Sequence, residues 1–404
     1  MTMTLSLSLS AAGGRGVQGH MTVLPRPLEG LRVLDLSRAV SGPFAGRILG
    51  DLGADVVKVE PPAGDLTDAF GAVQAGRAGL YAQMNVGKRN VQLDLAREED
   101  LALARGMASV ADVVIENYRP GVLDRLGLGW GWLAGVNPTA VLLSISGFGA
   151  HGPESTRRAY ASVVHAESGL LARQARSDRR APTDITFSVA DTLASLHGVI
   201  AVQAALTLRQ RTGSGQHIDL SMLEAMVASD DYVHEVLDSV TGPGNRGTMW
   251  DGVGGPVLLA ADVRTAWALL RHRAGLTDGL DPGAPLEEKI PARRAAVTGW
   301  LGSFPTRSEM LAALHDAGIA ASDLRAPEDL LAEPSLVAAP PWTAVDDGGG
   351  GTRRVVRMPY RFSAASAEVV GRVSPPDADR AAVTQDWLGR GPDAGGWPSE
   401  AKVP

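Results

Sequence analysis

Apolar positions along the chain fall into two textures. From residue 31 to about 150, short continuous apolar runs alternate with amphipathic segments. "LRVLDL" (31–36) and "ADVVKVE" (54–60) read as strands, and "FAGRILGDLG" between them reads as a helix. Strand, helix and strand in that order predict a βαβ unit with parallel pairing and a right-handed crossover. The pattern recurs. "REEDLALARGMASVA" predicts a helix, "DVVIENY" (112–118) a strand, "GVLDRLG" a short helix and "TAVLLSISGFG" (139–149) a strand. Runs of Val, Ile and Leu without alternation suit parallel strands covered on both faces, so residues 25–150 are expected to form a doubly wound α/β layer. The longest helical pattern is "ADTLASLHGVIAVQAALTLRQRTG" (190–213), with Gly213 as its stop. "QHIDLSMLEAMVA" then predicts a strand running into a helix.

From about residue 235 the texture changes. "TGPGNRGTMWDGVGGP" is glycine-rich, "TAWALLRHRAG" and "RSEMLAALHDAG" are helical, and "PPWTAVDDGGGGTRRVVRMPYRF" leads into a short strand. The expected organisation is a disordered extension over 1–24 with Met21 a better start than Met1, and a large Rossmann-like domain over 25–235. A small domain over 240–325, a return segment over 326–390 that completes the large domain, and a disordered tail over 391–404 follow. No internal repeat is visible.

Composition narrows the partners. The 404 residues are 45% hydrophobic and 21% charged, with a net charge of −7. That balance suits a soluble globular protein, the absence of cysteine fits a cytosolic one, and the net charge gives no general attraction to nucleic acid or anionic membrane. No apolar run was expected to reach the roughly 18 residues of a membrane span. There is no cysteine, which excludes disulfides, thiolate metal sites and cysteine nucleophiles.

Motif tests remove several chemistries. The first βα turn, "DLSRAVSGPFAG", lacks the glycine triplet of a dinucleotide site and has Pro43 in it, although Glu60 stands where the ribose-binding acid belongs. The histidines, among them His165, His197 and His217, form no ligand pair, so no metal site is expected. No G-x-S-x-G elbow and no Walker A sequence occurs. Arg38, Lys88, Arg89, Arg119, Arg125 and Arg158 fall at predicted strand ends or in loops, where cations could receive a polyphosphate. Asp191 has two readings. Ser188-x-x-Asp191 matches a capping box before an apolar helix, and a carboxylate in the first turn of a helix is favoured as the anion, the form a nucleophile needs.

Five stretches in order resemble the class III CoA-transferases, the family that includes formyl-CoA and carnitine CoA-transferases and α-methylacyl-CoA racemase. They are "LEGLRVLDLSRAVSGPFAGRILGDLGADVVKVEPPAGD", "NVGKRNVQLDL", "ADVVIENYRPGVLDRLGLGW", "NPTAVLLSISGFGAHGP" and "RQRTGSGQHIDLSMLEA", covering roughly residues 28–226. "GIAASDLRAPEDLLAEPSL" and "RMPYRFS" match more loosely. The resemblance implies an α/β fold: a Rossmann-like large domain with a parallel sheet, built from both ends of the chain, and a smaller α+β domain. It implies an interlocked homodimer, coenzyme A as co-substrate with no tightly bound cofactor, and an acyl-CoA and a carboxylic acid as substrates. It places the nucleophile on Asp191, and CoA contacts on Arg38, Ala39, Val40, Asn117, Arg125 and Arg158. The implied reaction is CoA transfer through a covalent aspartyl intermediate.

The chain departs from the family at identifiable points. Tyr160 in "AYA" stands where racemases carry a histidine, and a tyrosine with its usual pKa of about 10 is a poor base at neutral pH. His165 follows five residues on. Ala161 replaces an acid, Val40 a polar residue, "DADRAAV" a C-terminal motif, and "WDGVGGP" is short for the glycine-rich loop expected over the active-site aspartate. The alternatives kept open are a racemase-like isomerase and a non-catalytic acyl-CoA-binding homologue.

Overall fold

The computed structural model describes residues 24–239 and 247–389. The expected N-terminal extension (all but residue 24), the start of the glycine-rich stretch and the expected tail lie outside these. The chain divides into two compact units, residues 24–231 with 341–389, and residues 232–340. Residues 326–340 cluster with the second.

In the larger unit, strands β1 (Arg32–Asp35), β2 (Asp55–Glu60), β3 (Arg89–Gln92), β4 (Val113–Glu116), β5 (Val141–Ser146) and β6 (Gln216–Ser221) form one sheet in the order β3-β2-β1-β4-β5-β6, every pair parallel. The order reverses between β1 and β4, the position where doubly wound sheets open a crevice at their carboxyl ends. Helices α1 (Ser41–Asp51), α2 (Gly79–Asn85), α3 (Glu98–Val110), α4 (Ala161–Glu167), α5 (Val189–Thr212) and α6 (Met222–Ala228) accompany the sheet.

Strand alternation separates two cores. Val33, Val56, Val113, Ile115, Val141 and Leu143 face Ile48 and Leu49 of α1 and Ala190, Ala194, Val199 and Val202 of α5. Leu34, Val57, Val114 and Leu142 face Leu101, Ala104 and Met107 of α3, with Val383 and Trp387 from the C-terminal helix Arg380–Leu388. Both ends of the chain therefore build the larger unit. α5 lies close on the sheet at Gly198, where a Cβ would meet Leu143 Cδ2 at 3.0 Å. By length and composition α5 could cross a membrane, with a mean hydropathy of 1.4, so the expectation that no run would pass that test is corrected. One face of it, with Ala190, Ala194, Gly198, Val199 and Val202, packs in the larger unit's core, while Ile200 is exposed.

The apolar pattern does not mark β3, whose residues read Arg-Asn-Val-Gln. It is an edge strand on β2. Its outer backbone is covered by the returning chain: the Asn90 and Gln92 amides donate to Asp379 and Asp377 at 2.8 Å each. Unpaired edges need such cover.

The second unit has a three-stranded antiparallel sheet, Ala321–Asp323, Gly255–Leu259 and Thr248–Gly252. Helices Val263–Arg273, Leu286–Gly302 and Arg307–Asp316 enclose with it a core of Trp250, Val257, Trp267, Leu270, Val297, Leu301, Met310 and Leu314. "WDGVGGP", read as short for a glycine-rich loop, spans the strand ends and tight turn of this hairpin. Gly254 and Gly255 supply its positive φ values of 79° and 119°, which a side chain would oppose.

Beneath the turn from β1 to α1 lies a buried cluster of charges. Lys88 Nζ donates to Asp35 Oδ2 at 2.7 Å, to the Pro43 carbonyl at 2.7 Å and to Asn85 Oδ1 at 2.9 Å. Lys58 Nζ donates to the Ser37 carbonyl and pairs with Asp65 at 3.3 Å. Asp35 is 0% and Lys88 3% exposed. Burial alone would raise the Asp35 pKa, but the Lys88 and Lys58 ammoniums outweigh it and hold the carboxyl below its usual range. Burial pushes Lys88 the other way, down to about 8. Removing one member strands its partner's charge out of water. Lys88→Met is therefore expected to cost about 3–5 kcal/mol of stability in urea unfolding at pH 7, and the double variant Asp35→Asn/Lys88→Met much less. Equal losses in the two would show that charge pairing is not what the cluster supplies.

Candidate active site

The turn Ser37–Val40 carries the chain from β1 to α1 at the point where strand order reverses. Its shape is set by side chains from three other segments. The Ser37 amide donates to Asp35 Oδ1 at 3.0 Å. The Arg38 amide donates to Asn117 Oδ1 at 2.8 Å, and Asn117 Nδ2 returns bonds to the Arg38 carbonyl at 2.7 Å and to Ser41 Oγ at 3.1 Å. The Ala39 amide donates to Asp65 Oδ1 at 3.2 Å. Ala39 has φ 63°, a left-handed conformation unfavourable for a residue with a Cβ. Asn117, on the loop after β4, thus clamps the turn from the neighbouring strand.

Asp191 is the third residue of α5. The capping box expected from Ser188 does not form: Ser188 makes no side-chain cap bond. His165 of α4 takes that part, its Nε2 accepting the Ala190 amide at 3.2 Å. The Asp191 carboxyl is half-buried beside the start of α1, where the Ser41 hydroxyl and backbone amide favour its anion. Ser195 ties the two helices together by donating to the Ser41 carbonyl at 2.6 Å and the Asp191 carbonyl at 2.7 Å. Burial raises the Asp191 pKa to about 6, against the opposing pull of Ser41. Its place in the first turn of a helix therefore does not leave it with an ordinary carboxylate pKa, as its sequence position suggested.

A cleft of about 480 Å³ opens over Asp191. Arg38, Ala39, Asn117 and Arg158 line it together with Asp191. Val40 and Arg125 are not among its lining residues; Val40 stands at the start of α1 and Arg125 is exposed on the short helix Val122–Arg125. Tyr160, read at the position of the racemases' histidine, lines the cleft as well, whereas sequence reasoning did not place Ser41, Tyr118, Ser146 and Arg157 here. Ser41 was the most findable, following directly on the residues already singled out. Arg119 had been noted only among the loop cations.

Among the described residues, Arg38, Arg119 and Arg158 form no ion pair with a carboxylate of the chain. The Arg38 guanidinium lies over the Tyr118 ring at 5.9 Å. Arg157 is engaged by Glu154 and Glu167. Lys88 and Arg89, entertained as phosphate ligands, are not part of the cleft. They stand at the amino end of β3, where Lys88 serves Asp35 and Arg89 pairs with Asp55 and with Asp386 at 2.8 Å. Glu60 is likewise used internally, bound by Arg77 at 3.0 Å and by the Tyr81 hydroxyl.

Behind the rim, Glu116 is buried and its pKa is raised by that burial to about 7, despite the hydrogen bond from the Tyr118 amide at 2.8 Å and the influence of nearby Ser144. The Ser144 hydroxyl also meets His217 Nε2 at 2.9 Å. No group of three or more His, Asp or Glu that could hold a metal occurs among the described residues.

Comparison with known proteins sets this geometry in a family. The sequence profile of CoA-transferase family III matches residues 28–380. Succinyl-CoA–D-citramalate CoA-transferase of Chloroflexus aurantiacus is 29% identical over 366 residues, 85% of this chain and 90% of that protein. Succinate–glutarate CoA-transferase of Agrobacterium fabrum is 39% identical over 219 residues, 52% of this chain and 54% of that protein. The crystal structure of a CaiB/BaiF family protein from Brucella suis superposes with a TM-score of 0.75 at 30% identity, over 90% of this chain and all of that one. On the strength of a match running from before β1 to the C-terminal helix, the chain belongs to CoA-transferase family III.

Proposed function

We propose that this protein moves CoA from an acyl-CoA thioester to a dicarboxylic acid through a covalent intermediate on Asp191. The observation that carries the proposal is the juxtaposition in one cleft of a half-buried carboxyl group and three arginines that form no ion pair with a carboxylate among the described residues. A CoA diphosphate and a dicarboxylate are both polyanions suited to guanidinium groups. The relatives named for citramalate and glutarate, both dicarboxylic acids, support that acceptor class.

In the proposed reaction an Asp191 oxygen attacks the thioester carbonyl. A C–O bond forms, the C–S bond breaks, and CoA leaves as the thiolate from a mixed anhydride. The thiolate attacks the Asp191 carbonyl carbon, expelling the donor acid and leaving an aspartyl-CoA thioester. The acceptor carboxylate attacks that thioester and displaces the thiolate. The thiolate then attacks the acceptor's acyl carbon, which regenerates the Asp191 carboxylate and releases the new acyl-CoA. Splitting the exchange this way replaces one hard step by easier ones. Coenzyme A is a co-substrate, and no other cofactor enters. In this proposal Arg38, Arg119 and Arg158 hold the anionic groups. Ala39 and Asn117 shape the wall, and Ser41 orients the nucleophile. The reaction draws on the cytoplasmic CoA pool, in a homodimer as the resemblance implies.

Racemase chemistry is the weaker reading. Tyr160 lines the cleft at 62% exposure, and the lone pair of His165 that a base would use is occupied by the Ala190 amide.

Hydroxylamine added with acyl-CoA is expected to convert Asp191 to the hydroxamate, located by mass spectrometry, and Asp191→Ala is expected to lower kcat about 10³-fold or more. Proton exchange at the α-carbon without an acceptor, and no trapped Asp191, would sink the transfer mechanism. The acylation rate should also depend on pH. Asp191 must be ionised to attack, so the rate is expected to fall as pH drops through about 6. Ser41→Ala removes a hydroxyl that favours the anion and should move that limb to higher pH; a limb unmoved in Ser41→Ala would assign it to another group.

A further inference from the structure

His165 is 1% exposed and does not line the cleft. Its ring joins two elements: Nε2 stands 3.2 Å from the Ala190 amide nitrogen, and Nδ1 2.9 Å from Asp184 Oδ1. A backbone amide can only donate. Nε2 therefore accepts, and Nδ1 carries the proton toward the Asp184 carboxylate, which fixes that tautomer. Ala190 is the second residue of α5 and immediately precedes Asp191. The first amides of a helix have no intrahelical acceptor, and a local side chain commonly supplies one. Here Ser188 does not, and a histidine from a different helix does.

We infer that His165 is a positioning residue for the nucleophile. The neutral imidazole, oriented by Asp184, caps α5 at Ala190 and fixes the first turn so that the Asp191 carboxyl meets Ser41. This inference rests on Asp191 being the reacting group. Without the cap, the terminal turn is free to fray, and the carboxyl one residue further on loses its aim. The ring touches neither substrate, so its loss acts on kcat and leaves KM in place. Glutamine keeps an acceptor oxygen; leucine fills similar space without one.

Two measurements on the full chain test the inference. In protein carrying ¹⁵N-histidine, with His165→Gln used to assign the signal, the ring is expected as the Nδ1-protonated tautomer at pH 7–8. A doubly protonated or Nε2-protonated ring there overturns the inference, because neither leaves a lone pair for Ala190. This readout does not involve turnover. In single-turnover trapping of Asp191, His165→Leu is expected to slow labelling about 10–100-fold at unchanged KM for acyl-CoA, with His165→Gln within about threefold of wild type. A glutamine variant as slow as the leucine variant, or a leucine variant as fast as wild type, overturns it. If His165→Leu lacks the native circular dichroism signal, Asp184→Ala, on a half-exposed carboxylate, is read in its place: slower labelling supports the inference and wild-type labelling overturns it. Failure of the wild-type chain to label Asp191 refutes the proposed function instead, and the tautomer then decides the cap alone.

Discussion

Four charges with almost no access to water lie beneath the turn that joins the first strand to the first helix. Asp35 comes from β1, Lys58 from β2, Lys88 from the residue before β3 and Asp65 from the loop after β2. A charge in that setting is tolerable only while its partner holds still. The cluster therefore fixes more than itself. Lys88 grips the Pro43 carbonyl inside α1, Lys58 grips the Ser37 carbonyl, and Asp65 accepts the amide of Ala39 in its left-handed conformation. These bonds set where α1 starts, and Ser41 at that start is what the Asp191 carboxyl meets.

Asp191 shows two opposed electrostatic effects and which one prevails. A helix N-terminus favours a carboxylate by about 0.3–1 kcal/mol. Burial works against the anion, and the rise from 3.8 to about 6 is on the order of 3 kcal/mol in favour of the protonated form. Burial wins, with Ser41 limiting its effect. The carboxyl is consequently ionised at neutral pH but poorly solvated, a condition common among groups that react. The three arginines on the cleft wall stand in the complementary condition, charged and without an acidic partner among the described residues.

Much of the fold was legible because parallel strands covered on both faces are written as unbroken apolar runs. β1, β2, β4, β5 and β6 and the helices α1, α3, α5 and α6 all fall where the pattern placed them, within a few residues. β3 was not legible, since its cover comes from Asp377 and Asp379, nearly 290 residues away. At the site, the resemblance brought Arg38, Ala39, Asn117, Arg158 and Asp191 to one cleft wall, but it also named Val40 and Arg125, which do not line it. Lys88 and Arg89 looked like anion ligands until the structure paired each with a carboxylate. Which cations are taken and which stay free depends on contacts that sequence spacing does not encode.

By itself the sequence determined the alternation of strand and helix, the position of the turn after β1, and the presence of one acid at the head of a long apolar helix. Those are local properties of periodicity and residue type. Tertiary structure alone decided what that acid experiences. It placed α5 against α1 so that Ser41 stands by Asp191, replaced the expected Ser188 cap with His165, and shielded the carboxyl from water enough to move its pKa. The reason is that desolvation and hydrogen-bond geometry depend on which surfaces exclude water from a group, and those surfaces come from segments distant in the chain.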